Sequence, residues 1–95
     1  MLIKKKIKIK NPQGLHARPA SIFVKIANKY EAEVADKKGK QTVNGKSIMG
    51  LMMLAANQGT LITIEVSGAD AESAAEELER FLNRSEESDG VEGLV

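Results

Sequence analysis

Thr60-Leu61-Ile62-Thr63-Ile64-Glu65-Val66-Ser67-Gly68 is the stretch on which the fold turns. Ile62, Ile64 and Val66 alternate with Thr63 and Glu65, the period of two that gives a strand one buried and one wet face, and Gly68 ends the run. Asp70 then stands at an N-cap position, Glu72 falls in the first turn, and Ala71, Ala74, Ala75, Leu78, Phe81 and Leu82 share one helical face as far as Arg84. A strand with one apolar face, followed at once by a helix with one apolar stripe, predicts helices packed on one side of a sheet.

Working back towards the N-terminus, Ser47 stands as N-cap before the apolar run Ile48 to Ala56, a short helix expected to close near Asn57 or Gly59. Glu31 to Asp36 and Gln41 to Val43 read as two short strands joined around Lys37-Lys38-Gly39-Lys40. From Ala17 to Asn28 the apolar positions Ala20, Phe23, Val24 and Ala27 keep helical spacing, and Pro19 is tolerated because first-turn N–H groups have no intrahelical partner. Ile3, Ile7 and Ile9 alternate with Lys4, Lys6, Lys8 and Lys10, a first strand interrupted on its apolar side by Lys5 and closed by the turn Asn11-Pro12-Gln13-Gly14. The element order is β-α-β-β-α-β-α. A right-handed crossover, with the last strand inserted between the first two, predicts an α+β open-faced β-sandwich: a four-stranded antiparallel sheet of order 1-4-2-3 with three helices on one face.

Ninety-five residues, 42% hydrophobic and 28% charged, suffice for one core and exclude a large multi-substrate enzyme. With no Cys there are no disulfides, thiolate nucleophiles or Cys-based metal sites. The longest apolar stretch, Ile48 to Ala56, is far short of the ~18 to 20 residues of a membrane span. No membrane insertion is expected. Met1 to Lys10 lacks the apolar core of a secretory signal, so the expected location is the cytoplasm. Glu86, Glu87, Asp89 and Glu92 crowd the last eleven residues, leaving nine acids against 14 bases in residues 1–84. Residues 85–95 read as an acidic, mobile tail, and residues 1–84 as one moderately basic domain suited to acidic protein surfaces or phosphates.

His16 is the only histidine, between a glycine-containing turn and a helix start, with Arg18 two positions on. Helix N–H groups and the positive end of the dipole favour an anion there, and Arg18 adds charge-assisted bonding. Histidine side chains titrate near neutrality and form covalent intermediates, so His16 could accept a phosphoryl group. On residue types and spacing alone, a capping or surface role for a lone helix-start histidine is the favoured reading, by about four to one. Gly45-Lys46-Ser47 looks like the end of a Walker A loop, but Lys40 stands where that motif requires glycine. Any phosphate on His16 must therefore come from another protein and leave to another. Ser47 is an N-cap first, yet a phosphoserine there would also be favoured by the dipole while charging the surface. Ile48, Met49, Met52 and Met53 cannot all point inwards from one short helix, which predicts an exposed, adaptable docking patch.

Two runs carry a family resemblance. Gly14-Leu15-His16-Ala17-Arg18-Pro19-Ala20 resembles the active-site signature of HPr, the histidine-containing phosphocarrier family of the bacterial phosphoenolpyruvate-dependent sugar phosphotransferase system. Lys46-Ser47-Ile48-Met49-Gly50-Leu51 resembles that family's regulatory-serine signature in its Gram-positive-type form. The resemblance covers residues 1–84 and implies that His16 receives phosphate on Nδ1 from enzyme I and passes it to sugar-specific IIA components, with Arg18 interacting with that phosphate. It further implies that an HPr kinase/phosphorylase phosphorylates Ser47, which slows transfer and favours binding to a catabolite-control transcription factor. Ile48, Met49 and Met52 would form the docking surface. The family implies a monomer with no cofactor, no metal and no turnover of its own.

Three features depart from the family pattern: Met53 where a small or polar residue is common, Leu54-Ala55 where Leu-Gly is common, and the acidic tail. Two rival functions fit the sequence less well. One is an HPr-like regulatory module acting in catabolite control through Ser47 alone, against which the presence of His16 and Arg18 counts. The other is a nucleic-acid-binding domain, for which one Tyr and two Phe leave little base stacking, so no nucleic-acid partner is expected.

Overall fold

The computed structural model describes residues 1–12 and 14–84; the expected acidic tail lies outside the described residues. The elements run β1 (Leu2–Lys8), α1 (Ala17–Ala27), β2 (Glu33–Lys38), β3 (Gln41–Asn44), α2 (Ile48–Leu54), β4 (Leu61–Ser67) and α3 (Ala71–Leu82). The sheet has the order β1-β4-β2-β3, and every neighbouring pair is antiparallel.

β4 is the centre of the sheet because both its edges are paired: Ile62 faces Ile7, and Val66 lies between Ile3 and Val34. Ile62, Ile64 and Val66 are fully buried, as the period of two requires, under the helical layer. Ala71, Ala74 and Ala75 are buried in α3, which packs over β1 and β4, and Phe23 of α1 is fully buried in the same core. The opposite sheet face is wet. Lys4, Lys6 and Lys8 are exposed there, and Glu65 sits between Lys37 Nζ at 2.9 Å and Lys4 Nζ at 3.8 Å. The lysine bonds hold the Glu65 carboxyl below its ordinary range. Lys5, which breaks the apolar row of β1, escapes the core by reaching Glu79 of α3 at 3.4 Å.

Several boundaries differ from expectation for identifiable reasons. β2 starts two residues later than the pattern placed it, because the N–H groups of Glu31 and Ala32 donate to the Asp70 carboxylate at 2.9 Å each instead of to a strand. Asp70 thus occupies the N-cap position of α3 without capping that helix through its side chain. Lys37 and Lys38 belong to β2 rather than to the turn, and the hairpin bends at Gly39-Lys40. Lys38 Nζ is drawn to the C-terminal carbonyls of α2, Leu54 O at 3.2 Å and Ala55 O at 3.0 Å. α2 stops at Leu54, short of the expected end, because Ala55 adopts a left-handed conformation, φ 54° and ψ 47°.

Candidate functional site

Backbone hydrogen bonds fasten the segment leading to His16. Gly14 turns the chain at φ +67°, its N–H donating to Asn11 O at 2.9 Å. A Cβ on Gly14 would lie 2.5 Å from Ala56 O, so only glycine lets the chain pass this close to the end of α2. Leu15 is buried and its N–H donates to Ala56 O at 2.9 Å. These contacts fix where the next residue emerges.

His16 follows in extended conformation, φ −83° and ψ −164°, and its carbonyl accepts the Ala20 N–H at 2.8 Å, the first turn of α1. Its imidazole is exposed and makes no capping bond. The ring borders a hollow of about 170 Å³ shared with Leu15, Met52, Ala55, Ala56 and Asn57. Pro19 brings no N–H and packs into the core, while the N–H groups of Ala17 and Arg18 have no partner among the described residues. No acidic residue lies in this first turn to compensate the dipole. The Arg18 guanidinium is exposed, without hydrogen bond or ion pair among the described residues. An anion held at His16 would therefore find backbone donors, a dipole and a free guanidinium on the same turn of helix.

Ser47 caps α2: its Oγ accepts the Gly50 N–H at 3.0 Å, and its carbonyl accepts the Leu51 N–H at 3.0 Å. Lys46 is tied down by its Nζ bond to Tyr30 O at 2.8 Å. The hollow beside His16 lies at the other end of α2, so the two candidate sites are about one 10 Å helix length apart. Between them runs the exposed patch. Leu51 and Leu54 take the core positions, leaving Ile48 40%, Met49 74%, Met52 46% and Met53 69% exposed. Met53, outside the expected docking set of Ile48, Met49 and Met52, is exposed alongside them. Its signal was in the sequence, since a seven-residue helix has room for only one inward stripe.

Fold and site together describe a small α+β domain with one solvent-facing histidine at a helix start beside an exposed methionine surface. A sequence model described as the PTS HPr component phosphorylation site matches residues 3–84, and the chain belongs to this family of phosphocarriers. It is 46% identical over 82 residues to the phosphocarrier protein HPr of Neisseria meningitidis serogroup A, covering 86% of this chain and 92% of that protein. It is also 41% identical over 83 residues to the HPr-like protein Crh of Halalkalibacterium halodurans, covering 87% of this chain and 99% of that one. Among solved structures, the crystal structure of HPr from Bacillus anthracis str. Ames is similar with TM-score 0.83 and 43% identity, over 86% of this chain and 98% of that one.

Proposed function

We propose that residues 1–84 form a phosphocarrier domain that takes a phosphoryl group from phosphorylated enzyme I on His16 and hands it to sugar-specific IIA components. The observation that carries this reading is the exposed imidazole of His16, making no capping bond, on a helix turn whose first N–H groups and Arg18 have no partner among the described residues. The imidazole lone pair forms a P–N bond at Nδ1 as the bond from phosphorus to the donor breaks, and the donor keeps that electron pair. The reverse step releases the group to the acceptor. Arg18 and the first-turn N–H groups offset the phosphate's charge in both directions, so the domain needs no metal or cofactor and has no turnover of its own. The protein works as a cytoplasmic monomer without nucleic-acid partners, and Ile48, Met49, Met52 and Met53 serve successive partners through one adaptable surface.

Ser47 is the regulatory site in this reading, modified by an HPr kinase/phosphorylase. A phosphate there keeps a cap acceptor for α2 and places about −2 charge beside the docking patch, which weakens encounter with partners adapted to the neutral form. It would at the same time suit a catabolite-control transcription factor. Similarity to Crh, described for Bacillus subtilis as a catabolite repression HPr, supports a second reading, a regulatory module in catabolite control, for which we take Ser47 as the acting residue.

Incubation with enzyme I and phosphoenolpyruvate, without ATP, separates the two. The carrier reading expects one acid-labile phosphate by intact mass, absent from His16→Ala. If a competent enzyme I leaves the wild type unmodified, the regulatory reading stands instead, and Ser47→Ala with kinase and ATP becomes its test.

A further inference from the structure

One side chain contradicts the logic of the core and has no part in the proposed transfer. Asp36 lies on the inner face of β2 between Val43 of β3 and Ile64 of β4. It is 0% exposed, and neither carboxyl oxygen has a hydrogen-bond partner among the described residues. The turn that follows β3 presses against it: Gly45 N–H donates to Val34 O at 2.7 Å, and a Cβ on Gly45 would lie 2.7 Å from Asp36 Oδ1.

The surroundings offer a negative charge almost nothing. β3 and α2 contain no titratable side chain, and the inner residues of β4 are Ile62, Ile64 and Val66. The buried residues of α1 are apolar. Lys38, on the same face of β2, is bonded to Leu54 O and Ala55 O, and Lys46 in the turn is bonded to Tyr30 O. Lys5, on β1 beyond β4, pairs with Glu79 of α3. A carboxylate in such a place costs far more than a neutral carboxylic acid.

We propose that Asp36 is a proton-held latch for the corner where β2, β3 and the start of α2 meet: closed packing keeps the carboxyl protonated, and loss of the proton loosens that corner. Burial pushes the carboxyl up to about 7, against an ordinary value of 3.8. Between those values the folded chain holds one proton more than the unfolded chain. The unfolding constant therefore rises about tenfold per pH unit as pH climbs towards neutrality, then levels off. The strain falls on the turn Asn44 to Ser47, whose geometry sets the Ser47 cap through Ser47 N–H to Asn44 O at 3.1 Å. Rising pH should then loosen α2 before it unfolds the rest of the sheet.

The test uses the intact chain labelled with ¹³C at aspartate Cγ, with urea unfolding from pH 5 to 8 for wild type, Asp36→Asn and Asp36→Leu. The expected results are an Asp36 resonance titrating near neutrality, and a tenfold-per-unit slope present in wild type and absent from both variants. Amide exchange, corrected for intrinsic rates, should lose protection over residues 44–54 in wild type alone as pH climbs from 5 to 7, with no further loss above it. An Asp36 carboxyl titrating in the ordinary range, or equal slopes in wild type and variants, overturns the proposal. Should either variant fail to fold, the wild-type titration decides alone.

Discussion

His16 reaches solvent because Gly14 and Leu15 fasten the chain to Ala56 immediately before it. Gly14→Ala must both bear a left-handed φ and displace the Ala56 carbonyl; a loss of about 2 kcal/mol is expected by thermal melting. Phosphoryl acceptance should slow with it, because the same contacts aim the imidazole. Arg18 has no partner to lose among the described residues, so Arg18→Ala should leave the melting temperature unchanged while lowering the initial rate of phosphoryl transfer about 10- to 100-fold. Ser47 divides the other way. Ser47→Ala removes the acceptor for the Gly50 N–H and should cost about 1 kcal/mol, measured by urea unfolding. Ser47→Asp restores an acceptor and with it the stability, yet adds charge beside the patch, so its transfer rate should fall.

At the scale of elements, the helix stop at Ala55 shows how a sequence departure becomes a conformational cost. A left-handed C-cap favours glycine, and this chain holds the position with alanine, φ 54°. Ala55→Gly should raise stability by about 0.5–1 kcal/mol in denaturant melts, the relief of steric strain outweighing the added freedom of the unfolded chain. Hydrophobic period was enough to read the order of elements and the topology: Ile62, Ile64 and Val66 of β4 and the alanine stripe of α3 are buried as their spacing requires. What period could not supply was long-range bonding. Nothing near Glu31 in sequence announces that Asp70, 39 residues away, will take its N–H, or that Lys38 will bind the end of α2. Of the candidate site, the placement of His16, Arg18 and Ser47 at helix starts was legible because glycine, proline and capping serine mark such starts locally, while the roles expected of them came only from the family resemblance. Asp36 was not singled out, although alternation from Ala32 and Val34 already put it on the inner face, because period-two reading rewards apolar matches and passes over a polar mismatch.

For the whole molecule, acid and neutral pH act on different groups with opposite sign. The Asp70 carboxyl is held below its ordinary range by the Glu31 N–H and then by that of Ala32. At Glu77 burial pulls upward, but the bonds from Lys29 and Tyr30 prevail and its pKa is lowered. Both contribute stability that is present above the unfolded carboxyl value and lost as pH falls through their lowered folded values. Asp36 acts in reverse, its contribution complete in acid and lost as pH rises to about 7. Melting temperature should therefore fall towards both strong acid and neutrality, with a maximum in mildly acidic buffer; Asp70→Asn should flatten only the acid limb. The central claim concerns the chain as a carrier, and the most direct test locates the phosphorus. The intact protein, ¹⁵N-labelled at histidine, is charged by enzyme I and phosphoenolpyruvate, examined for ³¹P–¹⁵N coupling, and then mixed with a IIA component. The account predicts coupling to Nδ1 of His16 that disappears as the acceptor gains the phosphate. Phosphorus on any other atom, or a His16 adduct that no acceptor can discharge, would contradict it.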